Sequence, residues 1–123
     1  MPAGDGAGSA SPLAARYAGR QPLEQLHGSA TYYADSLAGN RTASGEPYRP
    51  EAFTAAHRTL PFGAIVRVTR SDNARVTYVK INDRGPFAGK ERIIDVSKAA
   101  AKELDMLRAG VVAVRVDVLE LPR

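Results

Sequence analysis

Val112, Val114, Val116 and Val118 share one face of an extended segment, with Ala113, Arg115 and Asp117 on the other. A period of two over Val111 to Leu119 can only be a strand with one buried side, so this chain must build a sheet that covers it. The same alternation recurs. Ala64 to Thr69 places Val66 and Val68 on one face and Ile65, Arg67 and Thr69 on the other, and Arg75 to Ile81 alternates after the turn Ser71-Asp72-Asn73. Those two segments are expected to form a hairpin. Ser29 to Tyr33, Phe53 to Ala56 and Ile93 to Val96 are shorter strand candidates. About six short strands in roughly 95 residues predict an all-β, mainly β domain closed as a small barrel or sandwich.

One helix interrupts the strands. Ser97 is its expected N-cap, Ala99, Ala100, Ala101, Leu104 and Met106 supply helix formers and an apolar stripe, and Gly110 is the expected stop. Pro22 to His27 carries Leu23 and Leu26 and is expected as a short turn of helix. Residues 1–27 read as a flexible leader, rich in small residues near the start, and the domain is expected over 28–121.

Composition narrows the chemistry. The chain has 123 residues, 44% hydrophobic, enough for one core. It has no cysteine, hence no disulfide framework and no thiol nucleophile. The net charge of +4 suits an anionic polymer or surface, but the basic residues are scattered and no nucleic-acid-binding motif accompanies them. No apolar run reaches the ~18 to 20 residues of a membrane span. Met1 to Ser11 lacks the basic and apolar regions of a secretory signal. The phosphate-binding loop, the dinucleotide fingerprint and the serine nucleophile elbow are all missing.

Four polar positions stand out. Asp83 ends an alternating strand and enters Asn82-Asp83-Arg84-Gly85-Pro86-Phe87. It reads either as a turn residue that caps backbone N–H groups or, if partly desolvated near Phe87, as a general acid. Asp95 lies inside the apolar run Ile93 to Val96, where it either serves the following helix N-terminus or acts as a functional carboxylate. His57 follows a run of small residues, and a lone histidine there is more often a hydrogen-bonded core residue. Glu46 sits in the loop Thr42 to Tyr48, exposed by default. Tyr32, Tyr33, Tyr48 and Phe87 lie near these positions as core aromatics or sugar-stacking faces. Arg84 holds a substrate carboxylate or sits in solvent. No metal-ligand spacing is present.

Five segments in order resemble the rare lipoprotein A family. They are Gly28 to Tyr33, Arg41 to Glu46, Phe53 to Gly63, Val79 to Phe87 and Arg92 to Ser97. The resemblance implies a six-stranded double-psi β-barrel with one or two short helices, a fold shared with expansins and some endoglucanases. It implies an endolytic peptidoglycan lytic transglycosylase, cleaving between N-acetylmuramic acid and N-acetylglucosamine to leave 1,6-anhydro ends. Asp83 is then the principal acid, Glu46 and His57 further site residues, and Asp95 an acid or the partner of Asp83. Tyr32, Tyr33, Tyr48, Arg84 and Phe87 are expected against the sugar, with no cofactor and no metal. Expected partners are peptidoglycan glycan strands, with no nucleic acid and no membrane span, and the chain is expected as a monomer. The expected place is the cell envelope, the periplasm in particular, with outer-membrane association in a full-length precursor. Many relatives add a module that binds septal glycan, whereas the resemblance here covers the barrel alone and leaves septal targeting open. The alternative is a non-catalytic, expansin-like module that binds glycan or loosens the wall.

Overall fold

The computed structural model describes residues 9–122. Its strands are β1 (Glu24–Tyr32), β2 (Thr54–His57), β3 (Ile65–Arg70), β4 (Val76–Asp83), β5 (Arg92–Val96) and β6 (Val112–Glu120). Two short helices, α1 (Ala14–Tyr17) and α2 (Lys98–Glu103), and a 3-10 turn at Asp35–Leu37 complete the order. The strands close into a barrel in the order β1-β5-β2-β4-β3-β6. β3 and β4 form the expected antiparallel hairpin, but β1 with β5 and β2 with β4 run parallel. Parallel neighbours need crossover connections, here residues 33–91, which include β2, β3 and β4, and residues 58–75, which include β3.

Alternation places the core as the sequence predicts. Val66, Val68, Val112, Val114, Val116 and Val118 pack inside with Val79, Ile81, Ile94 and Val96. Part of the outer side of β3 and β6 is buried too, at Ile65, Arg67, Asp117 and Leu119. Arg67 reaches the fully buried Asp117 at 2.9 Å, and Gln25 and Arg115 bond the other carboxylate oxygen. A buried charge needs such partners on both oxygens.

Three expectations change at the chain's start and at the helix. Pro22 to His27 does not form a helical turn. Leu23 N–H donates to the Val118 carbonyl, and β1 pairs with β6 from Glu24 onward, because the long strand β6 has a ladder to satisfy on that side. Strand β1 therefore starts before Gly28. Of the expected leader, residues 1–8 lie outside the described residues. Ala14 and Tyr17 are buried against Ile65, Tyr78 and Leu119, so this part of the leader belongs to the domain's packing.

Helix α2 starts as read, with Ser97 Oγ accepting from Ala100 N–H, but it stops at Glu103, well before Gly110. Asp105 adopts φ 55°, which ends the helical path. The carbonyls of Glu103, Leu104 and Asp105 are taken by Arg75, Asn73 and Arg70 of the β3–β4 turn region. Cationic donors at a helix C-terminus satisfy its free carbonyls and its dipole together. Gly28 is required where β1 and β5 approach: a Cβ there would lie 2.7 Å from the Glu91 carbonyl oxygen and from Ile93.

Candidate active site

The short strand β2 sets the site. On one side Ala56 is in register with Asp83 of β4, after an irregularity between Ala55 and Ala56. On the other side Ala56 is in register with Asp95 of β5. Residues in register on neighbouring strands point to one face, so both carboxylates flank the Ala56 methyl on the outside of the barrel. Two strand spacings put their backbones about 10 Å apart. Ala55, one residue earlier, points into the core.

The two carboxyl groups have different surroundings. Asp83 accepts from three donors: the Tyr33 hydroxyl at 2.5 Å on Oδ2, and the N–H groups of Ala43 at 2.8 Å and Arg84 at 2.9 Å on Oδ1. Among the described residues Asp95 accepts from one, the Thr31 hydroxyl at 3.1 Å. Burial, with the negative charge of Asp83 adding to it, pushes the Asp95 carboxyl up to about 6 against the pull of Thr31. A carboxyl with few donors and a like charge nearby keeps its proton to a higher pH than an ordinary carboxylate.

Tyr33 and Tyr48 form the wall beneath. Their rings stack at 4.2 Å and 15°, and both are buried with Ala56. Burial, followed by the bond to Asp83, raises the Tyr33 hydroxyl far above the ordinary phenol range, so it remains a donor. Tyr48 Oη accepts from Lys98 N–H at the start of α2. These two rings are occupied with each other and offer no open face for a sugar. Tyr32 donates its hydroxyl to the Leu107 carbonyl and packs against the core.

Phe87 is the open aromatic, 79% exposed. Its loop is held from below by Arg58, which donates to the carbonyls of Pro86, Gly89 and Lys90. Arg84 donates to the carbonyls of His57 and Leu60, and its guanidinium lies 4.1 Å from the Phe62 ring centre. It therefore braces the turn after β2, contrary to a guanidinium standing free in solvent.

Glu46 and His57 flank the pair without joining it. Glu46 accepts from Asn82 at 3.1 Å and Lys80 at 3.3 Å, and these bonds, that of Asn82 foremost, hold it below the ordinary carboxylate range. It lines a recess of about 270 Å³ with Arg49, Thr54 and Lys80. His57 is buried, and its Nδ1 accepts from the N–H groups of Thr59 and Leu60, both at 3.1 Å. It faces a different recess, of about 360 Å³, with Arg58, His27 and Glu24. Among the described residues no hydrogen bond joins His57 to either aspartate, and no acidic or histidine cluster could hold a metal ion. Sequence reading missed Thr31, Ala43 and Ala56. The consecutive small residues Ala55-Ala56 between two aspartate-bearing strands were the available signal.

A family model described as lytic transglycolase matches residues 25–116. The probable endolytic peptidoglycan transglycosylase RlpA of Treponema pallidum is 58% identical over 89 residues, covering 72% of this chain and 28% of that protein. The endolytic peptidoglycan transglycosylase RlpA of Campylobacter jejuni is 45% identical over 96 residues, 78% of this chain and 34% of that protein. The chain thus spans about a third of these relatives. Among solved structures, the Streptomyces papain inhibitor superposes with a TM-score of 0.63 at 27% identity, covering 82% of this chain and 99% of that one. An apo expansin of Clavibacter michiganensis superposes at 0.62 with 21% identity, covering 81% of this chain and 52% of that one, a likeness of fold alone. The six-stranded closed barrel is the double-psi barrel the sequence led us to expect.

Proposed function

Because the chain belongs to the lytic transglycolase family, we propose that it cleaves the glycan of peptidoglycan without water, with Asp95 as proton donor and Asp83 as its charged partner. The observation that carries this reading is the pair itself: two carboxyl groups in register with Ala56 from either side, of which Asp95 has a single donor among the described residues.

The Asp95 carboxyl gives its proton to the glycosidic oxygen between N-acetylmuramic acid and N-acetylglucosamine as the C1–O bond breaks. Positive charge develops at C1, and the Asp83 carboxylate, fixed by Tyr33, Ala43 and Arg84, stabilises it. The sugar's own 6-hydroxyl then attacks C1 and returns its proton to Asp95, closing the 1,6-anhydro ring. Water is neither consumed nor needed. This division exchanges the expected emphasis on Asp83: its oxygens, held by three donors, face the developing charge, and Asp95 carries the proton. Glu46 and His57 act as supports, Glu46 through Asn82 and His57 through the backbone turn it anchors.

The place of action that fits this substrate is the cell envelope, the periplasm in the finer assignment, on peptidoglycan strands and as a monomer. Among the described residues no helix is long and apolar enough to cross a membrane. Mass spectrometry of purified glycan strands incubated with the chain tests the reading. Anhydro-ended fragments are the expected result. Reducing-end muramic acid would assign a hydrolase, and binding without any product would assign the expansin-like alternative.

A further inference from the structure

The recess beside Glu46 carries a charge imbalance that the cleavage chemistry does not use. Glu46 is ionised, and Lys80, whose Nζ lies 3.3 Å from its carboxylate, neutralises it. Asn82 occupies the other carboxylate oxygen. Arg49 lines the same recess and is exposed, and its side chain makes no hydrogen bond or ion pair among the described residues, its carbonyl alone accepting from Ala52 N–H. Arg49 is therefore the basic residue in the lining of this recess that no carboxylate of the described residues compensates. Its planar guanidinium fork matches a carboxylate, which it can hold by two parallel bonds.

Its position relates it to the carboxylate pair. Thr54 is in register with Lys80, two residues before Ala56 on β2 and three before Asp83 on β4, a displacement of about 6.6 Å along β2. The loop between β1 and β2 touches both places: Ala43 N–H bonds Asp83, and Glu46 and Pro47 line the recess. A glycan lying across Asp83 and Asp95 thus brings a substituent of a neighbouring sugar to Arg49.

We infer that this recess is a carboxylate-binding subsite of the glycan groove, in which Arg49 holds an acidic substituent of the muramic acid next to the cleaved bond. The inference rests on the glycan reading above. The carboxylate has two sources: the lactyl group of a peptide-free muramic acid, or the free acids of a peptide stem.

The test measures affinity, in an Asp95→Asn background so that turnover does not intervene. Calorimetric titration compares that protein with its Arg49→Gln derivative on soluble strands of equal length. The strands are peptide-free with free lactyl carboxylates, peptide-free with those groups amidated, and peptide-bearing. The expected result is about tenfold weaker binding by the Arg49→Gln protein to an acid-bearing strand, and equal binding of both proteins to the amidated strand. Loss on the peptide-free acid strand assigns the lactyl group, and loss confined to peptide-bearing strands assigns the stem. Equal weakening on the amidated strand, or no weakening on any strand, overturns the subsite. Failure of the Asp95→Asn protein to bind any strand would instead overturn the glycan reading itself.

Discussion

Asp83 and Asp95 stand on opposite sides of Ala56, each in register with it across its own strand, and the charge of the first raises the pKa of the second. The methyl between them is buried against Tyr33 and Tyr48. A larger side chain at that point would press on the stacked rings.

Asp95→Asn is expected to separate stability from activity. The folded-state value of Asp95 is raised from 3.8 to about 6, so the folded chain binds more protons than the unfolded chain in that window. Its stability therefore falls as pH rises from about 4 to 6, and ionised Asp95 is a cost at pH 7. The variant should be more stable than wild type at pH 7 by on the order of 1–2 kcal/mol, with the difference gone at pH 3.5. Activity should drop by about 10²-fold or more. Thermal melts at the two pH values, with a product assay, check both halves.

Tyr33→Phe keeps the stack on Tyr48 and removes one donor from Asp83. Loss of a bond to a charged group is expected to cost about 1–2 kcal/mol in denaturant unfolding. Activity should fall about tenfold, because Asp83 loses the contact that fixes Oδ2. A variant with full activity would show that the hydroxyl serves only the fold.

His57 should be neutral with its proton on Nε2, since Nδ1 accepts from two backbone N–H groups. Burial first, then the charges of Arg84 and Arg58, lower its pKa from the ordinary 6.5. The folded state therefore resists protonation, and this group withdraws stability as pH falls below 6.5. Nitrogen NMR of the imidazole gives the tautomer and the midpoint together, and a midpoint at or above 6.5 would contradict this placement.

Phe87→Ala tests the open ring. At 79% exposure it contributes little to the core, so the melting temperature should move by less than about 2 °C. Affinity for glycan strands should drop several-fold if the ring stacks on sugar.

Much of this fold was legible in local patterns. The valines of β6 and the hairpin of β3 and β4 follow from period two, and Ser97 announces α2. Other features depend on distant partners. The start of β1 carries only Leu26 as an inward apolar residue before the bare Gly28, so its pairing with β6 was invisible until the barrel closed. The end of α2 is decided by Arg70, Asn73 and Arg75, more than 25 residues away in sequence. At the site, Asp83 and Asp95 were visible as polar residues in apolar surroundings. Their meeting across Ala56 was not, because it needs one parallel and one antiparallel neighbour of β2. Tyr33 and Tyr48 read by default as core aromatics and, through the resemblance, as sugar-binding residues, and their burial and mutual stacking depend on a partner distant in sequence.

The pH dependence of the cleavage rate in wild type and Asp83→Asn tests the shared-field claim most directly. The account predicts a wild-type rate that falls on the basic side with an apparent pKa near 6, set by Asp95. Removing the Asp83 charge should move that limb to lower pH in the residual activity of the variant. A basic limb that stays in place in Asp83→Asn, or a wild-type rate that is flat through pH 6, would contradict it.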